Sequence, residues 1–260
     1  MTAVRREGRI LLFALTFLTR IPSPVPLEFS RELLNRAARY FPLIGLFIGL
    51  ISAGVFAWAS LLLPIGPAVL LAMIASVLAT GAFHEDGLAD TFDGFARGDT
   101  RDEILAAMKD SRLRAPGALA IAVVLLLKFF LLGAMSEQLI IAAFLSVHAL
   151  SRAASASLIH FGDYARGDTG KSRLLAVGMT RAELLIALTT GLAPALMAWL
   201  ILDEIGFAAA IPAAFLTALV AAVWFKHKLD GFTGDCLGAV QQLSEIAALA
   251  AVFFSTIALS

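Results

Sequence analysis

FPLIGLFIGLISAGVFAWASLLL, residues 41–63, contains no charged side chain. As a helix at about 1.5 Å per residue, a run of that length exceeds the roughly 30 Å hydrocarbon core of a bilayer. Comparable apolar segments lie at about 66–83, 118–135, 139–160, 184–202, 207–225 and 237–259. They predict an all-α fold, a polytopic integral membrane helical bundle of about seven transmembrane helices forming one membrane-embedded domain over residues 1–260. Composition agrees: 60% of the 260 residues are apolar and 15% charged, with mean hydropathy +0.88. Soluble chains are nearer half apolar and a quarter charged. A formal net charge of zero argues against nucleic acid as a partner. The single cysteine, Cys236, cannot form an internal disulfide.

The connections between spans alternate in charge. LPIGP, MSEQ and LDEIG are short and carry no Lys or Arg. With seven spans, 19 of the 20 Lys and Arg fall on one side, which the positive-inside rule makes cytoplasmic. The expected location is therefore the cytoplasmic (inner) membrane, multi-pass, with a cytoplasmic N-terminus. Residues 1–40 begin like a signal peptide but lack a small-residue cleavage site, and Pro22, Pro24 and Pro26 follow Arg20. They read as a retained interfacial or re-entrant helix. The exception to the charge rule is Lys128, inside LLLKFFLL. It either snorkels or faces the bundle interior beside an anionic group.

Chemistry concentrates in HEDGLADTFDGFARGDTRDEILAAMKDSRLRAPG, residues 84–117. On a helix Asp86, Asp90, Asp93 and Arg97 share one narrow face, with Gly87 and Gly94 in a stripe beside them that admits another backbone or a bulky ligand. Carboxylates at this density beside a membrane need a cation, and oxygen donors suit Mg²⁺ or Ca²⁺. The bland alternative is a solvated acidic helix end. In MKDSR, Lys109 and Arg112 suit phosphate, with Arg114 close by, and Asp110 suits a metal or a proton. The alternative there is an ordinary salt-bridged loop.

Three further features are weaker. Residues 92–100 and 161–169 echo one another, by duplication or coincidence. GDTGKS, 167–172, has Ala165 where a P-loop needs its first glycine, although Lys171 and backbone amides suit a nucleotide contact. In residues 226–245, Asp230 and Asp235 bracket a Gly-rich turn before the last span, as anion-site residues or as helix caps. Glu245 lies inside that span, where a merely structural role is harder to argue. His84, His148, His160 and His227 are dispersed and form no zinc motif, but His84 adjoins the acidic cluster.

HEDGLADTFDG followed by MKDSR, with FLTRIP and FPLIGLFIG before them and DGFTGDCLGAVQQLSE after, resembles the cobalamin synthase family. The resemblance runs from about residue 12 to 255 in matching order. Asp230-Gly231 stands where a Gly-Gly pair is expected, and Glu85 where leucine or a similar residue is common. The resemblance implies a Mg²⁺-dependent transfer from adenosylcobinamide-GDP to α-ribazole or its 5′-phosphate, releasing GMP, in the nucleotide-loop stage of cobalamin assembly. It assigns Asp86, Asp90 and Asp93 to Mg²⁺ and diphosphate, with Glu85 as a fourth ligand. Lys109 and Arg112 would steady GMP. Asp110 or a member of the acidic cluster would take the hydroxyl proton. Arg97, Arg114, Lys171, Asp230, Asp235 and Glu245 complete the expected substrate contacts, in a lipid bilayer, with a homo-oligomer left open. Two rivals remain at this point. A CDP-alcohol phosphotransferase would share DGFAR, which is one residue short of that family's motif. An ion-coupled transporter would place carboxylates near mid-bilayer.

Overall fold

A computed structural model describes residues 3–27, 30–110, 112–165 and 178–258. Helix α1 (Ala3–Leu18) is followed by α2 (Arg31–Ala37), a 3-10 turn (Ala38–Tyr40) and α3 (Phe41–Ala59). Next come α4 (Ile65–Thr80), α5 (Phe83–Arg97) and α6 (Arg101–Ala107). The long helices α7 (Ala115–Gly133), α8 (Glu137–Phe161), α9 (Arg181–Leu202), α10 (Ile205–Leu229) and α11 (Gly234–Ala258) complete the chain. Among the described residues the only β-type pairing is an isolated bridge between Tyr164 and Phe232. The chain is thus an all-α, multi-pass membrane bundle.

Among the described residues six helices are long and apolar enough to cross a bilayer, or seven if α4 and α5 form one broken span. The apolar run at 66–83 therefore corresponds to a short helix and a sharp break, not to a straight crossing. α4 stops at Thr80, and α5 leaves at 84° to it. The break rests on two consecutive left-handed residues, Gly81 at φ 66° and Ala82 at φ 59°. Arg20 closes over it: its backbone N–H donates to the Ala79 carbonyl at 2.8 Å, and its side chain occupies the space a Cβ on Gly81 would need. Gly81 and Ala82 are half-buried at this break.

α8 is the central column. All its residues from Ser146 to Ile159 are buried, and it packs on α3, α9, α10 and α11. Gly45 and Gly49 of α3 let that helix press against the backbone of His148 and Phe144, the small-residue contact that membrane helices use in place of a hydrophobic driving force. α1 does not cross. Ile10, Phe13, Ala14 and Leu18 form its buried stripe and pack on Leu34, Ala37 and Ile44, as an interfacial helix would.

Candidate functional site

α5 is held at an unusually close approach to the first turns of α11. A Cβ on Gly87 would lie 2.9 Å from the Asp235 carbonyl and 3.2 Å from Gly238 Cα, and one on Gly238 would lie 3.1 Å from the His84 carbonyl. The glycine stripe read from the sequence is thus a backbone-to-backbone seam. Gly94 continues it, pressing on Met108 and the Ile104 carbonyl of α6. The seam brings Asp235 of α11 beside the stretch that carries Asp86 and Asp90. Asp86 is exposed, while Asp90 and Asp235 are half-buried. Asp86 and Asp90 are one turn apart, so their Cβ atoms are separated by about 6 Å.

The structure does not hold the other two expected metal ligands on that face. Asp93 is buried and caps α7: Oδ2 accepts the Arg114 backbone N–H at 2.9 Å and Oδ1 that of Gly117 at 2.8 Å. Those amides are orphan donors of a helix start, which is why a carboxylate turns toward them. Glu85 lies about 100° around the helix from Asp86. It points into the bundle, where Oε1 accepts from Gln242 Nε2 at 3.0 Å. The four-carboxylate set therefore divides into an outer pair, a cap and an interior residue.

Asp110 is the anchor of the MKDSR loop. Arg112 donates to it at 3.0 Å, Arg114 at 3.1 Å and Arg97 at 3.2 Å. Arg112 and then Arg114 hold its carboxyl well below the usual carboxylate range, and the Arg112 guanidinium is pushed up in return. A carboxylate stabilised in this way is a weak base, which argues against Asp110 as the proton acceptor. Lys109 is exposed beside it. Asp230 sits at the left-handed C-cap of α10 and pairs with Lys226 at 2.8 Å, so here it is a helix-end residue. Lys171 and the GDTGKS stretch lie outside the described residues.

A second polar centre, inside the bundle, was only partly visible in the sequence. Lys128 faces inward, donating to Gln242 Oε1 at 2.6 Å and pairing with Glu245 Oε1 at 3.0 Å. Gln241 donates to Glu245 Oε2 at 2.6 Å and to Ser151 Oγ at 3.0 Å. Arg152 is buried and donates to the His148 carbonyl at 2.9 Å. His148 Nδ1 lies 3.5 Å from Glu245 Oε2, near enough for attraction but too far for a good hydrogen bond. Lys128 and Arg152 balance Glu85 and Glu245 in charge, which is what makes ionised groups tolerable at this depth. Both ring nitrogens of His84, Glu85 Oε2 and Arg152 Nε have no hydrogen-bond partner. They line a cavity of about 20 Å³, room for one ordered water. The available signal was the interruption of apolar runs by Lys128, Arg152 and the Gln241–Gln242–Glu245 group.

Among the described residues no group of three or more His, Cys, Asp or Glu side chains is gathered as a metal cage. A small hard cation asks for less. Mg²⁺ keeps several waters and is commonly bound by one or two carboxylates together with substrate phosphates. The exposed Asp86 with its neighbour Asp90 fits that mode.

The sequence profile of the family described as "Cobalamin-5-phosphate synthase" matches residues 10–253, which include every residue of both centres. The chain is similar to a protein from Shewanella amazonensis named adenosylcobinamide-GDP ribazoletransferase, 44% identical over 252 residues and covering 95% of each chain. A Ralstonia nicotianae protein of the same name is 42% identical over 258 residues, 96% of each. One from Shewanella frigidimarina is 42% identical over 245 residues, 93% of this chain and 92% of the relative. No solved structure matches.

Proposed function

Since this chain belongs to the cobalamin-5-phosphate synthase family, a family of membrane transferases in nucleotide-loop assembly, we propose that it transfers the adenosylcobinamide-phosphate group from adenosylcobinamide-GDP to α-ribazole or its 5′-phosphate. GMP is the leaving group and Mg²⁺ the cofactor. The hydroxyl oxygen of the acceptor forms a new bond to the phosphorus carried by the corrinoid side chain, and the phosphoanhydride bond to GMP breaks. Such transfers depend on positioning and charge neutralisation more than on covalent help from the protein.

The observation that carries this reading is the Gly87–Gly238 seam, which brings the backbone of Asp235 in α11 against the helix that carries Asp86 and Asp90. Asp86 and Asp90 would hold Mg²⁺ against the diphosphate, where the ion neutralises charge on the phosphoryl oxygens. We assign the hydroxyl proton to Asp235, because Asp110 is stabilised as an anion by its arginines. Lys109 and Arg112, at the exposed end of the same loop, would steady the departing GMP. Asp93 contributes indirectly, by fixing the start of α7 and the return of Arg114 toward α5. The basic connections argue for a cytoplasmic site at the inner membrane.

The decisive measurement is GMP release by detergent-solubilised protein given adenosylcobinamide-GDP, with and without α-ribazole and with and without Mg²⁺. Acceptor- and Mg²⁺-dependent release is expected. No release under the complete condition would sink the assignment and leave the interior charges as the better guide, toward transport.

A further inference from the structure

Arg6 and Arg9 of α1 and Arg36 of α2 line one cavity beside the start of α3. α2, the 3-10 turn and α3 form one continuous helical run, Glu32–Ala59, of 28 residues. At 1.5 Å per residue it is about 42 Å long, against a hydrocarbon core of about 30 Å. α3 alone, with 19 residues, fills the core at about 28 Å. With α3 in the core, the overshoot is residues 32–40, which extend beyond the hydrocarbon on the side where α1 packs.

α1 buries its apolar stripe against that overshoot, which turns Arg5, Arg6 and Arg9 outward, where they are exposed. Between the two helices lies a cavity of about 350 Å³ lined by Arg6, Arg9, Ser30, Glu32, Leu33 and Arg36. Among the described residues Arg6 and Arg36 share the single carboxylate of Glu32, which leaves an excess of positive charge. Glu32 pairs with Arg36 at 2.8 Å and with Arg6 at 3.6 Å, but its side chain is 70% exposed, and such pairs are easily exchanged for a stronger acceptor. Guanidinium groups present parallel donors that match phosphate oxygens.

We propose that this cavity binds the phosphate of an anionic phospholipid head group and thereby ties α1 to the membrane surface. The chemistry recognised is a phosphate ester at the interface, and attraction there amounts to about fivefold in binding for each arginine. The full chain, purified in detergent with equal phosphatidylglycerol and phosphatidylcholine, is examined by native mass spectrometry for retained lipid. Wild type is expected to keep phosphatidylglycerol over phosphatidylcholine. Arg6→Gln with Arg36→Gln is expected to lose that preference by about 25-fold, or fivefold per arginine. Glu32→Gln, which raises the local positive charge, is expected to strengthen it. That opposite sign keeps the test decisive even where the double variant folds poorly. Equal retention of both lipids by wild type, or no response to Glu32→Gln, overturns the proposal. Displacement of the lipid by millimolar inorganic phosphate at constant ionic strength would assign the cavity to a free phosphate and also overturn it.

Discussion

Replacing Lys128 by methionine tests whether the interior charges act as one unit. The Lys128 and Glu245 side chains are 7% and 5% exposed and meet at 3.0 Å. Removing one member of such a pair leaves a buried carboxylate without its main counter-charge, which costs about 3–5 kcal/mol. Glu245 would keep its hydrogen bond from Gln241, so the lower half of that range is the better expectation. For a chain of this size each kcal/mol shifts the midpoint by about 2–4 °C, giving a fall of about 6–16 °C. Thermal unfolding of Lys128→Met in detergent reads this directly. The second arm is Lys128→Met with Glu245→Gln, which removes the stranded charge and keeps an oxygen for Gln241. It should recover more than half of the loss, a coupling of about 2–3 kcal/mol. If the double variant melts as low as the single one, or lower, the two side chains are not coupled through charge. The electrostatic account of the interior would then be wrong.

Three other outcomes follow from the geometry. Asp90→Asn or Asp86→Asn should lower the transfer rate about 10²–10³-fold, with an unchanged melting midpoint for the exposed Asp86→Asn; normal turnover by both would remove the metal assignment. Gly87→Ala forces a methyl group into the Asp235 carbonyl and should cost about 1–3 kcal/mol, with activity falling further than stability because α11 is pushed from α5. Wild-type rates in that variant would show the seam to be unimportant. The Asp110 carboxyl is held below its ordinary value of 3.8, so the arginine clamp contributes fully above that pH and is lost as the pH falls beneath it. Amide exchange in residues 108–114, corrected for intrinsic rates, should stay flat from neutrality down to about pH 5 and rise only at lower pH. A rise near neutrality would contradict the clamp.

Much of the architecture could be read from hydropathy alone, because membrane spans are long and their composition is extreme. The boundaries of α3, α7, α8, α9, α10 and α11 follow the apolar runs closely. The α4–α5 break did not show, because Gly81-Ala82 continues the apolar character of the run. Nothing in an alanine announces a left-handed φ. Helical periodicity correctly placed Gly87 and Gly94 on a contact stripe, since that depends only on spacing. It grouped Asp93 with Asp86 and Asp90 because it carries no information about α7, whose first amides claim that carboxylate. Lys128 was left between two readings for the same reason. Its partners Gln242 and Glu245 lie more than a hundred residues later, and local pattern cannot report a pairing at that range.

The position of those partners has a consequence for how the protein is made. Glu85 waits for Gln242, Lys128 waits for Gln242 and Glu245, and Gly87 waits for Asp235. All four contacts belong to α11, which leaves the ribosome after the helices that carry Glu85, Gly87 and Lys128, since chains are delivered from the N-terminus onward. Until it arrives, the nascent protein carries Lys128 and Arg152 against Glu85 alone, an excess of positive charge inside the bundle. An abandoned or shortened product would therefore be chemically distinguishable from a finished one, through a defect that membrane quality-control proteases can recognise without any knowledge of the reaction.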